Sequence, residues 1–180
     1  KNAKVSKKYW KKYMALAFIG LGGNIGDSKQ LIKDAIVCLA QYPELRVITR
    51  SCMYKSAPVE AIGDHFVNAV ISLETNSSAQ RLLTICQEVE AQFGRERPFT
   101  NAPRTLDLDI LSYGQDVVQT DTLTIPHPRM TNRAFVLIPL LEIAPNLTLP
   151  GYGNLHAYLE SVKEQEIEKI KGCNCPTSLF

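Results

Sequence analysis

Residues 105–110 (TLDLDI) constrain the fold most strongly, because polar and aliphatic side chains alternate there without a break. In a β-strand successive side chains point to opposite faces, so we expect a buried aliphatic face and an opposite face that carries both Asp107 and Asp109. Carboxylates two residues apart on one strand face can converge on divalent cations. Because Asp is rare in strands while alternating strands commonly expose a polar face, the stretch predicts either a metal platform or a half-exposed strand.

Three arginines lie in the segment before this strand, residues 95–104 (RERPFTNAPR). The preceding helical pattern ends at Gly94, so we interpret the segment as a loop. Surface arginines are commonly only solvated, but guanidinium groups beside a carboxylate pair suit a site that holds a polyphosphate together with its metal ions. Arg95, Arg97 and Arg104 are therefore candidate phosphate ligands.

His127 follows the strand, fixed between Pro126 and Pro128 and near Arg129 and Arg133. A lone histidine is more often a structural hydrogen-bonding group than a ligand. The rigid backbone and the two arginines nevertheless make His127 better suited than most histidines to contact a phosphate.

The net charge of +2 hides an uneven distribution. Six lysines lie within the first twelve residues, and the rest of the chain carries 14 basic and 18 acidic side chains, a net charge of −4. The body therefore lacks the basic character suited to nucleic acid, and no long apolar run predicts a membrane anchor or signal peptide. We expect residues 1–13 to be a dispensable or vector-derived extension, with a basic arm that touches anionic surfaces as the alternative.

The five cysteines, an odd number without a secretory signal, favour a reducing cytoplasm. Cys38, Cys52 and Cys86 lie in apolar-patterned segments and are expected in the core. Cys173 and Cys175 form a lone C-x-C pair with no second pair nearby, so no zinc site is expected there.

The hydrophobic pattern predicts the order strand, helix, strand, strand, helix, strand. Strands are expected at residues 15–21, 45–54, 66–73 and 105–111, and helices begin at Asp27-Ser28 and Asn76-Ser77-Ser78. This order is that of an α+β, ferredoxin-like βαββαβ core, with a mainly antiparallel sheet and helices on at least one face. The predicted additions are a hairpin over residues 117–125, an apolar helix over 135–144 interrupted by Pro139, and an amphipathic helix over 154–171. Together they predict a single domain, residues 14–172, followed by a loose tail, residues 173–180.

Gly20, Gly22, Gly23 and Gly26 suggest a nucleotide-binding loop, but they match neither the dinucleotide nor the P-loop template. We therefore predict a structural turn after the first strand. Asn68 is an unusual polar member of an apolar strand. It is expected to be structural, although its paired donor and acceptor could also recognise the edge of a heterocycle.

Three motifs together resemble those of a known family: residues 104–110 (RTLDLDI), 126–130 (PHPRM) and 133–137 (RAFVL). Their order and spacing are similar to those of 6-hydroxymethyl-7,8-dihydropterin pyrophosphokinase. Enzymes of this family move a diphosphate from ATP to the pterin hydroxymethyl group in the folate pathway and release AMP. The resemblance covers residues 14–146.

The resemblance implies a catalytic centre, a nucleotide site and a pterin pocket. Asp107 and Asp109 would hold two Mg2+ ions. Arg95 and Arg104 would stabilise the transferring group, and Glu90 would line the catalytic centre. The implied ATP contacts are Gln87, Arg97, Ile110, Thr124, His127 and Arg133. The implied pterin contacts are Asn24, Ser56, Ala57, Val59, Phe66, Asn68 and Phe135.

Two other functions fit parts of the sequence. A kinase that transfers one phosphoryl group would also use the aspartate pair, but it would release ADP instead of AMP. An RNA-binding module could use the lysine-rich arm, but residues 66–73 (FVNAVISL) lack the exposed aromatics of an RNP-type strand. We therefore expect the small-molecule substrates ATP and 6-hydroxymethyl-7,8-dihydropterin, no nucleic-acid or membrane partner, and a monomer, with a homodimer as the alternative.

Overall fold

The computed structural model describes residues 14–57, 65–94, 106–172 and 177–178. The lysine-rich residues 1–13, the arginine segment up to residue 105 and most of the predicted tail lie outside these ranges. The domain boundaries expected from the sequence therefore stay predictions.

Within the described residues, an antiparallel sheet of seven strands forms the centre of the molecule, and two small hairpins form separate two-stranded sheets. The strands are β1 (Ala15–Gly23), β2 (Leu45–Arg50), β3 (Tyr54–Ser56), β4 (Phe66–Thr75), β5 (Asp107–Tyr113), β6 (Val118–Gln119), β7 (Thr124–Ile125), β8 (Thr148–Leu149), β9 (Gly153–Asn154), β10 (Ile167–Lys169) and β11 (Thr177–Ser178). The helices are α1 (Ser28–Ala40), α2 (Ala79–Gln92), α3 (Ala134–Ile143) and the single turn α4 (Leu159–Val162).

The strand order β10-β3-β4-β1-β5, with β2 also paired to β4, contains the expected core. β1 lies in the middle between β4 and β5, and β2 and β3 together border the far side of β4. This arrangement is the split βαβ pattern, in which each helix connects two parallel strands that flank a third. The prediction of an α+β, ferredoxin-like fold is confirmed.

Helices α1 and α2 cover one face of the sheet. Asp27 caps α1 by accepting a hydrogen bond from the Gln30 amide at 3.1 Å, and Ser78 caps α2 in the same way through the Arg81 amide. The main core lies between these helices and the sheet and includes Cys86. Burial, with a smaller contribution from the charge of Asp109, raises the pKa of the Cys86 thiol to about 12.

Helix α3 covers the opposite face, where Phe18, Val70 and Leu111 of the sheet pack against it in a second core. The predicted interruption at Pro139 is wrong, because α3 continues through this residue. Proline lacks the amide hydrogen of a regular helical bond, but Pro139 is buried, and burial of this apolar helix offsets the missing bond.

The predicted helix over residues 154–171 is also wrong. Asn154 does cap a helical turn through the His156 amide, but that 3-10 turn and α4 end at Val162. A polar run follows, and Ile167 then begins β10, which pairs with β3. The apolar residues at 155–162 have the spacing of one helical face. Ile167, further along the chain, belongs to a strand of the sheet instead.

Two strand boundaries also differ from the sequence prediction. β1 continues through Gly22 and Gly23, which were expected in a turn, and the predicted strand at residues 45–54 is split at residues 51–53. At the split, the Ser51 amide donates to the Val70 carbonyl, and the Ser51 hydroxyl accepts from the Val70 amide. The serine side chain thus replaces one bond of the regular ladder.

The hairpin predicted over residues 117–125 is confirmed as β6 and β7, which among the described strands pair with each other alone. In the part of the chain that the structure describes, no helix has the length and apolar character needed to cross a membrane.

Candidate active site

Asp107 and Asp109 lie half-buried on β5, at one edge of the sheet. The intervening Leu108 and the flanking Leu106 and Ile110 belong to the core beneath α1 and α2. The aspartates therefore point to the other face, and the predicted alternation is confirmed.

Two glycines of β1 lie directly across from the aspartates. In the antiparallel register, Gly22 is paired with Asp107 and Gly20 with Asp109. Residues paired in this way project to the same face of a sheet. The neighbouring strand therefore contributes no side chain beside the carboxylates. The groups nearest to the two glycines on that face are the Leu111 side chain at Gly20 and the Asn68 Oδ1 at Gly22.

The chemistry of this pair fits magnesium bound together with phosphates. Mg2+ is commonly held by one or two carboxylates, with waters and substrate phosphates completing its shell. Among the described residues there is no group of three or more His, Cys, Asp or Glu side chains that could hold a metal ion. Two carboxylates on one strand face are therefore compatible with Mg2+ bound together with phosphates.

Glu90 lies behind the aspartate strand, at the end of α2. Its side chain is only 2% exposed, and its Oε1 accepts a hydrogen bond from the Leu108 amide at 2.8 Å. Leu108 lies between the two aspartates, and among the described residues its strand pairs only with β1, so that one edge of β5 has no partner strand there. Glu90 therefore contacts the backbone that carries the aspartates, and this contact fixes the position of β5.

His127 lies beside the same strand, because its amide donates to the Leu111 carbonyl at 2.9 Å. Burial, followed by the charges of Arg133 and Arg129, lowers the pKa of His127 to about 4, although Asp107 opposes this shift. Its Nδ1 accepts a hydrogen bond from the Arg129 amide at 3.2 Å. A neutral imidazole with Nδ1 as an acceptor carries its proton on Nε2, so His127 can donate from that atom.

Asn68 and Ser56 form a buried polar pair on the other side of β1. Asn68 is paired with Gly22 in the sheet, and its Nδ2 donates to the Ser56 hydroxyl at 2.9 Å. Because Asp107 is also paired with Gly22, Asn68 and the aspartates share one sheet face. Asn68 is thus separated from the two aspartates by one strand, β1.

Two half-buried aromatic residues belong to this side of the molecule. Phe66 is two residues before Asn68 on β4 and therefore shares its face. Phe135 lies in the first turn of α3, and the Arg133 guanidinium carbon is 5.6 Å from the centre of its ring. A cation over an aromatic face is a stabilising arrangement, and it joins a predicted nucleotide contact to a predicted pterin contact.

The remaining predicted contacts differ in how the structure positions them. Gln87 is exposed on α2 one turn before Glu90, Thr124 is exposed on β7, Asn24 is buried after β1, and Ala57 follows β3. The Ile110 side chain is buried in the core on the face away from the aspartates, so it is not brought to the site. Arg95, Arg97, Arg104 and Val59 lie outside the described residues.

The sequence interpretation missed two features of the site. Gly20 was predicted in the first strand and Gly22 in the turn after it, but their pairing with the aspartates was not predicted. Their spacing of two matches that of Asp107 and Asp109, and this was the available signal. Glu142 was also missed. It accepts hydrogen bonds from the Tyr54 hydroxyl and the Cys52 amide and thereby joins α3 to β3. No local pattern indicates that long-range contact.

Comparisons with known proteins identify the family. The family model described as 7,8-dihydro-6-hydroxymethylpterin-pyrophosphokinase (HPPK) matches residues 18–145. A 2-amino-4-hydroxy-6-hydroxymethyldihydropteridine pyrophosphokinase of Methylorubrum extorquens is 40% identical over 139 residues, which cover 77% of this chain and 88% of the relative. A protein of the same name from Haemophilus influenzae is 41% identical over 139 residues, covering 77% of this chain and 87% of the relative.

Solved structures share the fold. A crystal structure of HPPK-DHPS in complex with substrates has a TM-score of 0.66 at 13% identity and covers 85% of this chain. A Plasmodium falciparum HPPK-DHPS structure has a TM-score of 0.67 at 14% identity and covers 84% of this chain. This chain spans about half of those proteins, 45% and 46% of their lengths. The family match and the relatives of similar length show that the chain belongs to the HPPK family and is a pyrophosphokinase of folate biosynthesis.

Proposed function

We propose that this enzyme transfers a diphosphate from ATP to the hydroxymethyl group of 6-hydroxymethyl-7,8-dihydropterin and releases AMP. The observation that carries the proposal is the register of β5 on β1, in which Asp107 and Asp109 lie opposite Gly22 and Gly20. Two carboxylates on one sheet face, with no side chain from the paired positions of β1 beside them, supply the negative charge that a metal–polyphosphate complex needs.

Asp107 and Asp109 would hold two Mg2+ ions in this proposal. When bound, the ions would neutralise negative charge on the phosphates. The contact between Glu90 and the Leu108 amide supports this role, because it restrains the backbone between the two carboxylates. Carboxylates on a restrained strand need little reorganisation before they bind.

The cationic and donor groups would orient the polyphosphate. His127 offers a neutral Nε2 donor, and Arg133 adds a fixed positive charge nearby. Arg95 and Arg104 are proposed to stabilise the transferring group, with Arg97, Gln87 and Thr124 as further nucleotide contacts. Any contact from Ile110 would use its backbone, since its side chain is buried in the core.

The pterin is proposed to bind on the same sheet face, beside Asn68. Phe66 and Phe135 are half-buried aromatics that could stack on a flat heterocycle. Asn68 would recognise the edge of the heterocycle, and the proposed pocket lining is completed by Asn24, Ser56, Ala57 and Val59.

Identification of the released nucleotide tests the reaction directly. The protein is incubated with ATP, Mg2+ and 6-hydroxymethyl-7,8-dihydropterin, and the products are separated by ion-exchange chromatography. We expect AMP and a pterin diphosphate in equal amounts, and no AMP in a control without the pterin. Release of ADP with a pterin monophosphate would instead establish transfer of one phosphoryl group.

We further propose a monomer in a reducing cytoplasm. The large exposed apolar residues of the described chain lie on one strand, one helix and two loops: Leu16, Val37, Ile25 and Val117. Scattered apolar residues of this kind are normal on a monomer surface. The odd number of five cysteines supports the location.

A further inference from the structure

The carboxamide of Asn68 is held from two sides. Asn68 is only 5% exposed, and its Nδ2 donates to the hydroxyl of Ser56, which is also 5% exposed. On the other side, its Oδ1 lies 3.0 Å from the position that a Cβ atom would occupy on Gly22. The side chain is therefore confined between β3 and β1, with its nitrogen toward β3 and its oxygen toward β1.

This arrangement favours one orientation of the amide over its flipped alternative. The two ends of an asparagine amide have nearly the same shape but opposite hydrogen-bonding character. A flip would turn the NH2 group toward the Cα–H of Gly22, which cannot accept a hydrogen bond. In the observed orientation the same Cα–H faces the amide oxygen, which can accept a weak C–H hydrogen bond.

The strand that carries Ser56 is itself restrained. Ser56 is paired with Phe66 of β4 on one side and with Ile167 of β10 on the other. Two residues earlier on β3, the Tyr54 hydroxyl donates to Glu142 of α3. The hydroxyl that contacts Asn68 therefore belongs to a strand fixed from both edges and from the helix above it.

We propose that Ser56 and Gly22 set the amide orientation of Asn68 and thereby make the pocket selective for a heterocycle with a lactam edge over its 4-amino counterpart. This inference rests on the proposed function, in which Asn68 recognises the pterin edge. Ser56 acts as a positioning residue, because its hydroxyl bonds to Asn68 and not to the reacting atoms.

The selectivity follows from the order of donors and acceptors. With one Nδ2 hydrogen bonded to Ser56, Asn68 retains one N–H donor and the Oδ1 acceptor. A lactam presents a carbonyl acceptor beside a ring N–H donor and complements that pair. In a 4-amino ring the donor and acceptor exchange places, so the same fixed amide meets donor with donor and acceptor with acceptor.

The test compares the affinities of two ligands, without turnover. Dissociation constants for 6-hydroxymethylpterin and for its 2,4-diamino analogue are measured by calorimetry, with Mg2+ and a non-hydrolysable ATP analogue present. The ratio of the two constants is compared among the wild-type protein, Ser56→Ala and Ser56→Thr. Ser72→Ala is the matched control, since Ser72 is a buried serine on β4 with the same exposure as Ser56.

We expect the wild type to prefer the lactam and Ser56→Ala to reduce that preference about tenfold, the effect of one lost hydrogen bond. Ser56→Thr keeps a hydroxyl and should restore the preference, and Ser72→Ala should leave it unchanged. An equal loss of affinity for both ligands in Ser56→Ala would overturn the inference, because a merely structural role acts on both alike.

A second variant, Gly22→Ala, tests the same orientation if Ser56→Ala does not fold. Gly22→Ala introduces a Cβ against the amide oxygen from the opposite side and should also lower the preference for the lactam. An unchanged ratio in that variant would contradict the proposed orientation. Failure of the wild type to bind either pteridine would refute the proposed function itself, which is a different outcome from unchanged selectivity.

Discussion

At Asp109 the carboxylate belongs to β5, and its paired residue on β1 is Gly20, which adds no side chain on that face. The side chain nearest to Gly20 on that face is Leu111, 3.6 Å from the position that a Cβ atom would occupy. A substitution at Asp109 would remove a proposed metal ligand, whereas a side chain at Gly20 would contact Leu111.

Asp109→Ala should abolish turnover that depends on Mg2+ while leaving the fold intact. Loss of a metal-holding carboxylate removes several kcal/mol of transition-state stabilisation, so we expect turnover to fall by ~10³-fold or more. Initial rates over a range of Mg2+ concentrations measure the effect, and circular dichroism checks the fold. Asp116→Ala is the control, because Asp116 is exposed in the turn after β5. Near-normal turnover in Asp109→Ala would disprove the metal assignment.

His127 should remain neutral across the physiological pH range. Its pKa of about 4 in the folded protein lies below the ordinary value of about 6.5, which the unfolded chain retains. The unfolded state then binds more protons between these values, so the stability that His127 contributes is present above pH ~6.5 and is lost as the pH falls toward 4. Titration of its ring protons by NMR in the metal-free protein, assigned with His127→Gln, measures this pKa. A midpoint above pH 6 would contradict the expectation.

At the scale of elements, α2 and the edge strand β5 are joined through Glu90. Glu90→Ala should lower the free energy of unfolding by ~1–3 kcal/mol, because it leaves the Leu108 amide without its buried partner. Glu90→Gln keeps an oxygen acceptor and should lose less. Urea unfolding of the three proteins measures both values, and equal stability of Glu90→Ala and the wild type would show that this bond contributes nothing.

A second connection between elements joins α3 to β3 through Glu142. Tyr54→Phe removes the hydrogen bond from the Tyr54 hydroxyl to this carboxylate, whereas Tyr158→Phe removes one from the Tyr158 hydroxyl to the neutral Tyr152 carbonyl. Hydrogen bonds to charged groups contribute ~1.5–3 kcal/mol and neutral ones ~0.5–1.5 kcal/mol. Tyr54→Phe should therefore lower the unfolding free energy more than Tyr158→Phe does, and the opposite order in urea unfolding would refute this view of Glu142.

These connections also explain which elements could be predicted from the sequence. β5 was predicted because its alternation is a local signal, and α1 and α2 were predicted because Asp27 and Ser78 cap regular apolar stripes. β10 could not be predicted, because residues 167–169 become a strand only by pairing with β3. The Asn68–Ser56 contact likewise depends on two strands meeting, which a linear pattern does not encode.

At the scale of the whole molecule, the charge is distributed unevenly along the chain. The lysines of residues 1–13 make the total charge +2, and the remaining chain has a charge of −4. An acidic body that binds an anionic nucleotide must concentrate its positive charge locally. Among the described residues, Arg133 supplies positive charge of this kind, because its guanidinium acts on His127 beside the aspartate strand.

Deletion of residues 1–13 should therefore leave ATP-dependent pterin turnover unchanged within about twofold. None of the proposed nucleotide contacts belongs to this segment, and electrostatic steering by charges away from a site is screened beyond roughly a Debye length, ~8 Å at physiological salt. Values of kcat/KM for ATP are compared between the full chain and the deleted form at low and physiological ionic strength. The same pair is assayed for binding to single-stranded RNA, where the deleted form should lose any salt-dependent affinity that the full chain has. A large fall in kcat/KM at physiological salt would assign the lysine segment a role in catalysis.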